Sequence, residues 1–409
     1  MKSKKLLIGL IVAAFIGGTH IASAQPKANY QNNLIEIGPD NIAGRVRAIV
    51  VDNADANHTT LYAGGVAGGL YKKVGDASWQ FIPYVDGNQQ ITLPISCMIQ
   101  LPDNSLLIGT GEGFVEKHGV NNDRMSPRGR GVYRYIPSEN QFQLLSPTNP
   151  VVAPDWTFVN RLAVLERDNS YFIYAATNSG LFRWKLNASN PSWQAQPTKI
   201  ANGNFQDVVI LSADNIAYAS TPGHLYRIGN VTGESMPVDV TSSNSAFAKS
   251  SRIELAAETS HSPNGDGTYT HRTYLYAVVA NASGLLDGVY LTNDQQNWTL
   301  LTTPTVLPFN SANPGNLNAA ICINPRNFKE VYVAGATMWV GQGFVENSFY
   351  QWGKQTYSEA ELNYGNYMGT VYSDTNFVHS GIHQIVATFI STSIPFSSLI
   401  LERFACICS

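Results

Sequence analysis

Thr60-Leu61-Tyr62-Ala63-Gly64, followed shortly by Gly69-Leu70-Tyr71, reads as two strands joined by a glycine turn, and the pair returns along the chain in altered spelling. Leu106-Leu107-Ile108-Gly109 stands with Gly131-Val132-Tyr133, and Phe172-Ile173-Tyr174-Ala175 with Gly180-Leu181-Phe182. Ile216-Ala217-Tyr218-Ala219 and His224-Leu225-Tyr226 follow, then Tyr274-Leu275-Tyr276-Ala277 with Gly288-Val289-Tyr290. Val331-Tyr332-Val333-Ala334 with Phe349-Tyr350-Gln351-Trp352 makes a sixth pair, and a seventh unit begins at Ile382-His383-Gln384-Ile385-Val386. A short apolar run precedes each pair across a turn rich in Asp, Asn and Pro, as Val46 to Val51, Ile95 to Leu101 and Arg161 to Leu165 do. Several units close on Trp and a fourth strand, such as Trp79-Gln80-Phe81-Ile82.

A four-stranded antiparallel sheet of this size cannot bury both its faces alone. Packed radially, each sheet covers the next and few edges stay open. The repeat therefore predicts an all-β chain: a β-propeller of about seven four-stranded blades, the last incomplete. No segment sustains a 3.6-residue apolar period, so helices are expected to be few and short.

The two ends differ from this body. Lys2, Lys4 and Lys5, the apolar run Leu6 to Ile16, and Ala22-Ser23-Ala24 have the order of a secretory signal peptide, which predicts cleavage after residue 24. The run is shorter than the ~20 residues of a membrane-spanning helix, so no membrane insertion is expected after cleavage. The body spans 25–389, six full units plus the start of a seventh. Residues 390–409 contain no Gly, Asn, Asp or Tyr, unlike every earlier unit. This tail reads as a shifted frame or truncated gene end, or else as a strand pair using Leu399-Ile400-Leu401. Ring closure is expected from Leu34-Ile35-Glu36-Ile37 pairing in the last blade.

Composition narrows the partners. Only 13% of residues are charged, and loss of the three signal-peptide lysines with no acid moves the formal net charge from −3 to −6. Nucleic acid and anionic membranes require clustered Lys and Arg, so neither is expected. Cys97 and Cys322 lie in apolar strand segments and read as small buried hydrophobes.

The residues Ile37-Gly38-Pro39-Asp40-Asn41-Ile42-Ala43-Gly44-Arg45-Val46, Leu61 to Gly65, and Gly68-Gly69-Leu70-Tyr71-Lys72 resemble the sortilin-type and BNR (Asp-box) repeat propellers, most closely exported bacterial forms. Gly109-Thr110-Gly111-Glu112-Gly113 with Gly129-Arg130-Gly131-Val132-Tyr133 is similar to that family's second blade, and Val378-His379 to His383-Gln384 to one of its strand openings. The Asp-box turn, Ser-x-Asp-x-Gly-x-x-Trp, is degenerate: Thr292-Asn293-Asp294-Gln295-Gln296-Asn297-Trp298 keeps Thr, Asp and Trp but lacks the Gly and is one residue short. The resemblance implies fold more than activity. Related xyloglucan-cleaving propellers carry a catalytic Asp in a Thr-Asp-x-Gly-Gly turn. Val66 stands at that place here, in Gly65-Val66-Ala67-Gly68-Gly69.

Candidate binding residues gather in the long insertion of the second unit, from Glu112 through Glu116, His118, Arg124 and Arg128 to Arg130, because loops on a rigid scaffold carry recognition. Gly341-Gln342-Gly343-Phe344-Val345-Glu346 echoes Gly111 to Glu116 and adds Phe344 and Glu346; a shared loop geometry is the simpler reading. His379 and His383 lie too far apart on a strand, ~13 Å, to share one metal ion. Asn264-Gly265-Asp266-Gly267-Thr268 lacks the bidentate Glu of a calcium loop and reads as a hairpin tip. No metal or cofactor is expected.

The sequence thus predicts a secreted or cell-surface, non-enzymatic binding or scaffold propeller engaging protein, peptide or carbohydrate through one face. The alternative is a glycoside hydrolase of sialidase or xyloglucanase type, which needs two carboxyls converging in the central cleft.

Overall fold

The computed structural model describes residues 45–114, 127–266, 268–302, 306, 308–311, 314–325, 327–344, 349–354, 384–389 and 402–407. Blade one is β1 (Val46–Val51), β2 (Thr60–Gly65), β3 (Gly69–Val74) and β4 (Gln80–Ile82). A small ribbon, β5 (Tyr84–Asp86) with β6 (Gln89–Ile91), leads to blade two: β7 (Ile95–Gln100), β8 (Leu106–Thr110), β9 (Val132–Ile136) and β10 (Gln141–Leu144). Blade three is β11 (Val159–Arg167), β12 (Ser170–Thr177), β13 (Gly180–Asn187) and β14 (Thr198–Asn202). Blade four is β15 (Asp207–Leu211), β16 (Ile216–Thr221), β17 (His224–Ile228) and β18 (Val238–Asp239). Blade five is β19 (Ser250–Pro263), β20 (Tyr269–Asn281), β21 (Leu286–Thr292) and β22 (Thr299–Leu300). Blade six is β23 (Ala320–Asn324), β24 (Asn327–Ala334), β25 (Met338–Phe344) and β26 (Phe349–Lys354), and β27 (Gln384–Phe389) pairs with β28 (Glu402–Ile407). All six full blades are antiparallel meanders.

The first strand of each blade is the innermost. β1, β7, β11, β15, β19 and β23 pack side by side, and β27 lies against both β23 and β1. The ring therefore closes with seven inner strands. Seven apolar clusters fill the interfaces between neighbouring blades. Tyr62, Leu70 and Ile82 meet Ile95, Met98 and Ile108 between blades one and two, for example. Alternation along β27 completes the circle: Ile385 packs on Ala320 and Tyr332 of blade six, and its neighbour Val386 on Val46 and Ile49 of blade one. The side-chain amide of Gln384 adds a 2.8 Å hydrogen bond accepted from the Ile49 N–H.

The recurring Tyr of the second strand has a physical role. Tyr62, Tyr174, Tyr218, Tyr276 and Tyr332 are all fully buried. Tyr174 donates its hydroxyl to Val231 O in blade four (3.2 Å), Tyr218 to Gln295 O in blade five (3.5 Å), and Tyr276 to Phe328 O in blade six (2.8 Å). Each of these rings fills one interface while its polar tip locks onto the next blade's backbone. The Asp/Asn turns after the inner strands use the left-handed backbone that Asn tolerates: Asn104, Asn169 and Asn215 have φ of 65°, 54° and 57°.

Several expectations change. Blade six takes Met338–Phe344 as its third strand and Phe349–Lys354 as its fourth, whereas the repeat assigned Phe349 to Trp352 to the third. Gly341 to Phe344 is thus paired strand, not a loop like Gly111 to Phe114, because neither glycine is needed for a turn there. β19 and β20 run to 14 and 13 residues and extend as a ribbon well past the ring, closing on the expected tip at Asn264–Thr268. Cys97 is buried and Cys322 only half-buried. The tail supplies β28 at Glu402–Ile407; Leu34 to Ile37, Leu399 to Leu401, His379 and His383 lie outside the described residues.

The Thr292–Trp298 segment of blade five forms a turn centred on Asp294. Asp294 accepts hydrogen bonds from the backbone of Gln296 (2.9 Å) and Asn297 (2.8 Å) and from the Thr292 hydroxyl (3.0 Å), while Trp298 meets Phe247 edge-on at 5.0 Å. Gln295 takes the left-handed backbone of this turn, at φ 62°. A Cβ there is strained, so Gln295→Gly is expected to raise stability by about 0.5–1 kcal/mol in urea unfolding. A destabilised variant would show that the turn is not left-handed in solution.

Candidate functional site

Turns after the first and third strands of each blade share one rim of the ring, and connections after the second and fourth share the other. The second rim carries the blade-two insertion, which leaves β8 at Thr110 and rejoins β9 at Val132. Both its roots are fastened. Gly111 and Gly131, each at φ 90°, turn the chain sharply, the Gly111 N–H donates to Pro94 O (2.8 Å), and the Gly129 N–H donates to Thr157 O (2.9 Å).

From this anchor Glu112 is driven into the mouth of the central channel, fully buried. Its Oε1 accepts from Arg47 Nε at 2.8 Å and its Oε2 from Arg45. Burial alone would raise the Glu112 carboxyl; the guanidiniums of Arg47 and Arg45 outweigh it and hold the group below the usual carboxylate range. Burial also pulls Arg47 down to about 10, against the attraction of Glu112, and leaves it charged at neutral pH. Two residues on, the Phe114 ring sits 5.2 Å from the Arg47 guanidinium and 4.1 Å from that of Arg252 in blade five. Arg47 and Arg252 both donate to Leu317 O, at 2.8 and 3.1 Å. Blades one, two and five and the approach to blade six thus meet at this mouth.

Below it lies a cavity of about 290 Å³, bounded by Arg161, Asp207, Glu254, Ala320 and Gln384. Arg161 binds Asp207 Oδ1 (2.9 Å) and Glu254 Oε1, and Glu254 Oε2 takes Arg252 Nη2 at 2.6 Å. Asp207 also accepts from the backbone N–H groups of Val208 (2.8 Å) and Leu255 (2.7 Å). Bulges where β1, β11 and β19 begin re-aim these side chains: the register slips between Val46 and Ala48, Val159 and Arg161, and Ser250 and Arg252.

Burial and the neighbouring Glu254 raise the Asp207 pKa to about 6 despite Arg161. The folded chain then holds a proton up to about pH 6 that the unfolded chain releases near 3.8. This group favours the folded state most below the unfolded value, and the advantage is lost as pH rises through 6. Asp207→Asn is expected to flatten the stability profile between pH 4 and 6, measured by urea unfolding at each pH; an unchanged slope would assign the titration elsewhere.

Of the residues the sequence singled out, Glu112 is buried and engaged, whereas Arg128 and Arg130 are exposed where the insertion returns. Phe344 ends β25 on a different strand of its blade, so the structure does not place it at a position equivalent to Phe114. Glu116, His118, Arg124 and Glu346 lie outside the described residues. The channel set of Arg47, Arg161, Asp207, Arg252 and Glu254 was missed. Its signal was charge near the start of the inner strands of blades one, three, four and five, with two such residues in blade five and none in blades two and six. The same rim exposes Val151 and Val152, 86% and 77% accessible, in the connection to blade three. Among the described residues no three His, Cys, Asp or Glu gather as metal ligands, and no helix is long and apolar enough to cross a membrane.

No protein-family model matches the chain, and no curated protein matches it in sequence. Solved structures similar to it include the WD40 β-propeller domain of Doa1, at 11% identity and TM-score 0.36, covering 78% of this chain and 83% of that one. An auxiliary nutrient-binding protein from Bacteroides thetaiotaomicron is 12% identical at TM-score 0.39, covering 71% and 66%. A functionally unknown protein from Desulfotomaculum acetoxidans is 10% identical at TM-score 0.43, covering 74% and 83%.

Proposed function

We propose that this chain is an exported, non-enzymatic binding or scaffold propeller that engages a protein, peptide or glycan through the rim bearing the blade-two insertion. The carrying observation is a division of labour. Charged groups inside the channel satisfy one another: Glu112 is held by two arginines, and Asp207 and Glu254 by Arg161, Arg252 and backbone N–H groups. Exposed side chains suited to contact, Arg128, Arg130, Val151 and Val152, stand on the rim outside. Buried ion pairs fix the insertion's root, which is how a recognition loop is kept preorganised. Export rests on the signal-peptide pattern of the first 24 residues. Membership of the Asp-box repeat propellers is supported by the blade-five turn around Asp294 and Trp298.

A second reading, the glycoside hydrolase, has one observation in its favour: Asp207 and Glu254 converge in the channel, where burial raises the Asp207 pKa. Both carboxyls grip the same guanidinium, however, and Asp207 has both oxygens engaged. A hydrolase needs its pair free to flank a bond. The test incubates the mature protein with arrayed glycans, peptides and folded proteins. The binder reading expects retention of at least one class without cleavage; released sugar, abolished by Asp207→Asn, would establish the hydrolase instead.

A further inference from the structure

On the opposite rim, the blade-five ribbon bounds a groove of about 590 Å³. One wall is the ribbon itself, with Ser260, Thr270 and His271. The other is formed by Asp214, from the turn joining β15 to β16, and by Asn293 and Gln295 of the Asp294 turn. β21 pairs with β20 only as far as Leu275 opposite Thr292 and then turns away. The ribbon beyond that point stands off the blade, and this separation opens the groove.

We propose that this groove is a second binding site, for a neutral oligosaccharide. Its lining is chiefly hydroxyls and side-chain amides, groups that donate and accept in turn as sugar hydroxyls do. Asp214 brings one carboxylate to the groove: its side chain is 18% accessible, and Oδ1 meets His271 Nε2 at 3.3 Å. A ligand hydroxyl can donate a charge-assisted hydrogen bond to the accessible part of that carboxylate. Charge does not favour a polyion, since Asp214 on one wall is balanced by Arg272 on the ribbon. The volume lies within the ~300–1,000 Å³ of small-ligand sites. An extended peptide added to the free stretch of β20 would seek apolar recesses for alternate side chains, and these walls offer hydroxyls and amides instead.

The test titrates the mature protein calorimetrically with neutral cello-, xylo-, malto- and chito-oligosaccharides. Two variants remove groove chemistry while keeping the fold: Asp214→Asn, which preserves shape, and Gln295→Gly, which suits the left-handed turn. One sugar series is expected to bind, with affinity falling about tenfold or more in each variant. Arg128→Glu with Arg130→Glu, on the other rim, is expected to leave that affinity unchanged, so this site and the insertion rim stand or fall separately. No heat with any series at about 10 mM sugar, or affinities indifferent to both groove variants, would overturn the proposal. A peptide bound there in place of every sugar would overturn it too.

Discussion

Replacing Glu112 by alanine is expected to lower stability by about 3–5 kcal/mol, the cost of stranding a buried charge. Arg47 is 6% accessible and its guanidinium has two carriers of compensation, the Glu112 carboxylate and Leu317 O. Without the carboxylate, a buried cation faces Arg252 across the channel mouth with only a neutral carbonyl and the Phe114 ring between them. The loss is not confined to blade two, because the mouth joins blades one, two and five. It also depends on pH with a fixed sign. Glu112 is held below the ordinary carboxylate range, so its contribution is present above that range and disappears as acid protonates the folded protein. The gap between variant and wild type in urea unfolding therefore narrows on acidification. An E112A protein as stable as wild type at neutral pH would mean that the Arg45–Glu112–Arg47 cluster does not form in solution.

Trp156→Ala is expected to cost a similar ~3–5 kcal/mol through the cavity it leaves. The indole is 2% accessible and sits between blades two and three, 4.4 Å from the Phe182 ring and 5.0 Å from that of Trp184. Its cluster takes Leu107 and Val132 from one blade and Val159 and Ile173 from the other. Val151→Ser, five residues earlier and fully outside the core, is expected to stay within about 0.5 kcal/mol of wild type. Thermal unfolding of the two variants side by side checks both. A small loss for Trp156→Ala would mean that the two blades are not packed as described.

Much of this fold was legible because blades repeat. The φ-Tyr-φ-Ala strands announce themselves by period, and their tyrosines are the residues that lock one blade to the next. What escaped reading was whatever departs from the period. Trp156 lies in a short 3-10 turn between blades, where the repeat has no strand to align. The blade-five ribbon adds polar residues that carry no apolar alternation, so nothing in the sequence separates a paired ribbon from a loop. The echo of Gly111 to Glu116 in Gly341 to Glu346 misled for the opposite reason: similar letters sit on different strands, one turning at φ 90° and the other running on as β25. At the candidate site, Glu112 was found by its place in a polar loop, yet its burial follows from arginines on another blade. No single-chain pattern shows that pairing. Charges on inner strands were visible individually, but only the ring brings Arg161, Asp207 and Glu254 to one point.

The central claim, that the insertion rim recognises a partner, is tested most directly by one comparison. Arrays of peptides, folded proteins and glycans are probed in parallel with wild type, with the Arg128→Glu, Arg130→Glu double variant, and with Gln295→Gly. At least one ligand is expected whose signal falls about tenfold or more in the double variant alone, as for loss of a charged contact at an interface. Binding that is indifferent to the double variant across every array would contradict it.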